Sequence, residues 1–180
     1  MRIWLAIVLQ LLLAGSIFGQ KQTYNWYFGL NAGLDFHSNP PTLLFDGQIN
    51  SNEGVASISD SAGNLLFYTD GMTVWDNTHH VMPNGTGLAG QQTSSQGALI
   101  VPKIGDSQRF YLFTIDVPNT TRGLSYSIIN LALNNGKGDV ETKNIFLHQP
   151  VCEKMTAIRH CNGRDFWIVT HEWRSDAYLS

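Results

Sequence analysis

Six acids, Asp35, Asp46, Glu53, Asp60, Asp70 and Asp76, gather near turn-forming residues in the first half of the chain. Two carboxylates held about 5 Å or about 6.5–9.5 Å apart across a sugar make a glycosidase; Glu53 and Asp70 are the candidates for such a pair. Asp60 and Asp70, however, stand where turns already favour Asp, whose carboxylate bonds the backbone two residues on. Turn chemistry has the stronger claim on both. His79 and His80 are adjacent, and neighbours on extended backbone point to opposite faces, which argues against a shared metal. His171-Glu172 lacks the second histidine of H-E-x-x-H, because Ser175 holds that place. Gly85, Gly87 and Gly90 in NGTGLAG approach a phosphate loop but lack both the Lys-Ser/Thr pair and a following helix. That segment reads as a surface loop. No catalytic, cofactor-binding or metal-ligating residue is assigned, no cofactor is expected, and ligand-binding residues stay open.

Cys152 and Cys161 flank a strand expected over Lys154 to His160. Such a strand rises about 3.3 Å per residue, whereas a disulfide needs Cα atoms within about 7 Å, so two free thiols are expected. Trp26, Tyr27 and Phe28 run consecutively, and Trp75, Trp167 and Trp173 recur near strand ends. Exposed rings of this kind grip sugars or peptides; buried ones pack sheet on sheet, and packing is the expected role here. Asn84-Gly85-Thr86 and Asn119-Thr120-Thr121 are glycosylation sequons that suit exposed loops.

These residues must be positioned by a 180-residue chain with 11% aromatic and 14% charged residues and a net charge of −3. That composition excludes disorder, and it leaves no basic footprint for nucleic acid. Met1-Arg2, the apolar run Ile3 to Ala14 and the small residues that follow have the layout of a secretory signal peptide over 1–19. The run is shorter than the ~20 residues a bilayer requires, so the exported product is expected not to span a membrane.

Beyond residue 19, short β-branched and aromatic runs alternate with Gly, Asn, Asp and Pro, the pattern of an antiparallel all-β chain. Ala56 to Ser59, Leu65 to Thr69, Met72 to Asp76, Ala98 to Pro102, Arg109 to Asp116, Gly123 to Leu131 and Val140 to Leu147 read as strands. Met155 to His160, Asp165 to His171 and a stub at Ala177 to Ser180 complete the set. Asp70-Gly71 marks a hairpin turn. The runs repeat: Ile58, Ile100 and Ile158 hold one place, Thr69, Thr114 and Thr170 another, with SDSAGN, KIGDSQ and HCNGRD between them. Intervals of roughly 40–60 residues with about four strands each are those of β-propeller blades. The expectation is a partial β-propeller of WD40-like, four-stranded antiparallel blades, about two and a half of them, incomplete against the about 4–8 of a closed ring. Residues 20–180 are then the N-terminal part of a propeller domain in a longer protein. A self-contained β-sandwich is the other arrangement compatible with strands at this spacing.

The sequence around SDSAGN is similar to the Asp-box hairpin of sialidases, with Gly63 one place late. A broader likeness covers the mature chain. NWYFG (Asn25 to Gly29), NEGVASISDSAGNLLFYTDGMTVWD (Asn52 to Asp76), HVMPNGTGLAG (His80 to Gly90), ALIVPK, GLSYSIINL, GDVETKN and EKMTAIRHCNGRDFWIVTHEW (Glu153 to Trp173) carry it. Through these segments the chain resembles the N-terminal propeller-like region of large exported Bacteroidetes surface proteins, which carry PKD-type repeats and a gliding-motility-associated sorting domain. The resemblance implies type IX secretion and a secreted or cell-surface location. It further implies an adhesin or extracellular scaffold that binds glycan or protein, with no catalytic residues to carry over. The expected function is a non-enzymatic binding module. The alternatives are an extracellular glycan hydrolase or lyase with an acidic axial site, and a purely structural spacer.

Overall fold

A computed structural model describes residues 21–118 and 120–180. The expected leader over 1–19 and the sequon residue Asn119 lie outside the described residues. Alternation of apolar and polar side chains with Gly/Asn/Asp turns yields an all-β chain of four antiparallel sheets. Each sheet is an up-and-down meander.

The first sheet holds β1 (Asn25–Phe28), β2 (Ala32–Asp35) and β3 (Thr42–Leu44). The second holds β4 (Ala56–Ser59), β5 (Leu65–Thr69), β6 (Thr73–Asp76) and β7 (Val81–Thr86). The third holds β8 (Ala98–Pro102), β9 (Arg109–Ile115), β10 (Leu124–Asn130) and β11 (Asp139–His148). The fourth holds β12 (Val151–Arg159), β13 (Phe166–Glu172) and β14 (Tyr178–Leu179). SDSAGN, KIGDSQ and HCNGRD are the turns of the β4–β5, β8–β9 and β12–β13 hairpins.

Because alternate residues of a strand face opposite ways, each inner sheet has two faces to bury. Tyr68 and Trp75 turn one face of the second sheet towards Tyr27 and Ile49. Phe67, Val74 and Met82 turn the other towards Phe110, Leu112 and Ile129 of the third sheet. The third sheet's far face carries Ile115, Leu124 and Phe113, which meet Val151, Met155 and Leu179 of the fourth. Three apolar layers thus hold four sheets in chain order, and no two-layer sandwich accounts for them. The first strands lie side by side in the same order, β1 by β4, β4 by β8 and β8 by β12.

Three expectations change. The β1–β3 sheet was not anticipated, since its strands are only three or four residues long and include Gly33 and Asp35. Asn84 to Thr86, expected as part of the NGTGLAG loop, belong instead to β7: Thr73 pairs with Thr86 and Trp75 with Val81, so cross-strand pairing overrides poor β propensity. The threefold equivalence of Ile and Thr also breaks. Ile58 pairs with Phe67 and Ile100 with Leu112, two residues from the Thr pairs, but in the last hairpin Ala157 holds that place and Ile158 is one residue on. A one-residue slip turns a side chain to the other face, and Ile158 is 57% exposed where Ile58 is buried. Thr69 and Thr114 likewise lie on faces that confront each other across one layer, because Ile115 intervenes between Thr114 and Asp116 whereas Asp70 follows Thr69 directly.

Candidate functional site

A cleft of about 780 Å³ opens where the first strands converge. β1 and β2 give it Trp26, Phe28 and Leu34; β4 gives Ala56 and Ile58; β8 gives Leu99 and Ile100. Gln22 and Thr23 close one end, in a short 3₁₀ turn beside β4. Side-chain bonds fix the strands around it: Asn25 Nδ2 donates to Ser59 Oγ at 3.0 Å, and Ser57 Oγ donates to the Asn25 carbonyl at 2.7 Å. Trp26 is anchored by its indole N–H on the Thr23 carbonyl, at 2.8 Å. Among the described residues no carboxylate lines the cleft. Its chemistry is that of an apolar groove with one amide and a few hydroxyls.

The acids fall elsewhere. Asp70 Oδ1 accepts from the backbone N–H groups of Met72 and Thr73, at 2.9 and 2.7 Å, and closes the β5–β6 turn. Asp60 does the same for Ala62 and Asn64 in the β4–β5 turn. Burial alone would raise the Asp60 carboxyl, but hydrogen bonds from Asn64, Ala62 and Gly63 outweigh it and hold it below the usual carboxylate range. Asp76 is buried beneath the β6–β7 turn; donors from Thr78 and His80 overcome its desolvation and leave its pKa lowered. Asp35 pairs with His37 at 2.5 Å on the first sheet. Glu53 sits in the loop before β4, and neither it nor Asp70 lines the cleft. The expected acid pair is therefore not assembled in this groove.

The constellation that sequence spacing could not assemble joins Tyr27, Asp46, Tyr68, Trp75 and His79. Tyr27, Tyr68 and Trp75 form a stack with ring centroids 4.5 and 5.5 Å apart. The Tyr68 hydroxyl lies 3.1 Å from His79 Nδ1 and accepts from the Gln48 N–H at 3.2 Å. His79 Nε2 lies 3.3 Å from Asp46 Oδ2, and the Tyr27 hydroxyl donates to Asp46 Oδ1 at 3.1 Å. Burial pushes the Tyr68 phenol up to about 12, aided by the fields of Asp46 and Asp76 and opposed by the Gln48 bond. Burial, then Asp46, raise Tyr27 as well. Phenols held protonated are poor bases and poor nucleophiles. This network pins the first sheet to the second.

The aromatic triplet splits by strand alternation: Tyr27 is buried while Trp26 and Phe28 are exposed, and all three line the cleft. Trp75 is core and Trp167 half exposed. His80 turns to Thr78, at 3.1 Å, and away from His79's partners. His171 packs its ring on Tyr178, and Glu172 faces His148 at 3.4 Å. Among the described residues no group of three His, Cys, Asp or Glu side chains could hold a metal. Cys152 lies within β12 and Cys161 beyond its end, both as free thiols.

The glycines of NGTGLAG serve chain packing. A Cβ on Gly90 would sit 2.4 Å from the Gly71 carbonyl oxygen, and one on Gly85 2.8 Å from the Met82 carbonyl oxygen. Only Gly87, with φ +70° and open space around it, is there for its backbone conformation. Among the described residues no helix is long and apolar enough to cross a membrane. In comparisons with known proteins, no family model, no curated protein and no solved structure matches this chain.

Proposed function

We propose that this chain is a β-propeller-type binding module, exported to the cell surface or beyond, and that it is not an enzyme. The observation that carries the reading is the apolar cleft lined by β1, β4 and β8, the first strands of three successive meanders. In a radial array of blades the first strands surround the axis, and the axial mouth is where such folds bind. A hydrolase or lyase needs acids there; here Asp60, Asp70 and Asp76 are engaged by backbone donors in turns. Export is supported by the leader layout of 1–19, and an adhesin or scaffold role by the likeness to exported Bacteroidetes surface proteins.

The groove's apolar lining favours an extended protein segment over a glycan, whose hydroxyls need more partners than Gln22, Thr23 and Ser57 supply. The test is retention and turnover on one preparation: immobilised peptide and glycan arrays beside a reducing-end assay on polysaccharides. Retention that Trp26→Ala and Leu34→Ala weaken, without turnover, is expected. Turnover abolished by Glu53→Gln or Asp70→Asn would overturn the reading, and absence of any retention would leave only a spacer.

A further inference from the structure

The layer between the second and third sheets changes character along its length. By register, Phe110, Ile129 and Val140 form one row across β9, β10 and β11 on the face towards the second sheet, and Leu112 and Ser127 form the next. The last row on that face is Thr114, Ser125 and Phe146. An apolar row has given way to two hydroxyls and one ring. There a pocket of about 430 Å³ opens, inside the ~300–1,000 Å³ range of ligand sites. Its opposite wall is the segment Gly87 to Ala89. Asn144 fixes that wall, accepting from the Ala89 N–H and donating to the Gly87 carbonyl, both at 2.9 Å.

Thr121 and Arg122 line the pocket from the β9–β10 connection. Asp116, buried, places its Oδ2 3.7 Å from Arg122 Nε, which is beyond hydrogen-bond reach but close enough to hold the cation. The Arg122 side chain is 60% exposed, and among the described residues its guanidinium donates no hydrogen bond. Phe146 is 53% exposed. Ser125 is buried, and the buried Thr114 hydroxyl next to it in the row has no partner among the described residues. The Lys143 ammonium, on the carbonyls of Asn84 and Thr86, adds positive charge beside Gly87. Among the described residues no carboxylate lines the pocket.

We infer that this pocket binds an acidic saccharide unit, its carboxylate on Arg122 and its ring against Phe146. A guanidinium fork matches a planar carboxylate in a bidentate, charge-assisted pair. The exposed phenyl face packs on the apolar face of a sugar ring, and Thr121 and Ser125 offer hydroxyls to its polar edge. The lining that disfavours a glycan in the Trp26 cleft is thus reversed here. The two sites share no residue, so this one stands apart from the Trp26 reading.

Isothermal titration calorimetry of the purified protein with trigalacturonate, and with galactotriose of the same linkage as its uncharged analogue, tests the site. Trigalacturonate should bind at least ~10-fold more tightly, as a charge-assisted hydrogen bond implies, and less tightly as salt is added. Arg122→Gln should erase that difference. Arg122→Lys keeps a cation beside Asp116 should the Gln variant fold poorly, and it should recover only part of the difference because the fork is lost. Phe146→Ala should weaken both sugars, and Trp26→Ala neither. No binding of trigalacturonate at millimolar concentration, equal affinity for the two sugars, or affinity indifferent to Arg122→Gln overturns the proposal. So does loss of saccharide binding through Trp26→Ala. A Glu- and Phe-containing peptide that binds through Arg122 more tightly than trigalacturonate would give the pocket to a protein segment and overturn it as well.

Discussion

Replacing Gly90 with Ala isolates one physical effect. Gly90 lies outside the left-handed region, so the added methyl meets no conformational penalty; it meets the Gly71 carbonyl oxygen at 2.4 Å and carbon at 2.8 Å. Both are backbone atoms, and the Gly90 N–H donates to that same oxygen at 3.1 Å, so the two connecting segments cannot part without losing the bond. Overpacking of this kind costs about 1–3 kcal/mol, and the bond adds about 1 kcal/mol. For a domain of this size each kcal/mol moves Tm by roughly 2–4 °C, so the midpoint should fall by roughly 4–16 °C. Gly87→Asn is the control, because Asn tolerates the left-handed conformation and nothing lies within 4 Å of its Cβ; it should stay within about 1–2 °C of the parent. Differential scanning calorimetry reads both. A Gly90→Ala midpoint equal to that of Gly87→Asn would refute the crossing of backbones on which the β7–β8 connection depends.

Three further outcomes are expected. The Tyr68 phenol is raised above its unfolded value of about 10 to about 12, so its contribution is complete below pH 10 and lost between about pH 10 and 12. Urea midpoints should fall over that range, and a flat profile would contradict the buried network. Asp76, with its lowered pKa, contributes above the ordinary carboxylate range and loses that contribution as pH falls through its folded value. Asp76→Ala should cost about 2–4 kcal/mol near neutrality by urea titration and flatten the acid limb; an unchanged acid limb would count against its three donors. Alkylation in denaturant without reductant should label both Cys152 and Cys161, and masses short of two labels would mean a bridge.

The hairpins were legible because their cues are local. Turn residues flank β-branched and aromatic runs at SDSAGN, KIGDSQ and HCNGRD, and all three became the leading hairpins of their sheets. Asp70 was legible for the same reason, as a turn acceptor. What failed was parity. The matching of Thr69 with Thr114 ignores Ile115, and the matching of Ile58 with Ile158 ignores the pairing of Ala157 with Ile168. One residue reverses which neighbour a side chain meets. β7 was hidden by Pro83, Asn84 and Gly85, since its pairing with β6 is a tertiary fact. The joint of Tyr27, Asp46, Tyr68 and His79 draws on separate elements, and only the folded chain brings them together. The cleft could not be foreseen either, because it lies between first strands whose adjacency no spacing encodes.

The sheet series itself is open to a double-mutant cycle. Phe67 and Phe110 meet edge to face at 5.5 Å across the layer between the second and third sheets, and such pairs couple by about 0.5–1.5 kcal/mol. Phe113 lies on the third sheet's other face, in the layer shared with the fourth. Leucine substitutions analysed by urea unfolding should give that coupling for Phe67 with Phe110 and additivity within about 0.5 kcal/mol for Phe67 with Phe113. Coupling of Phe67 to Phe113 in place of Phe110 would contradict the stacking on which the cleft and the binding role depend.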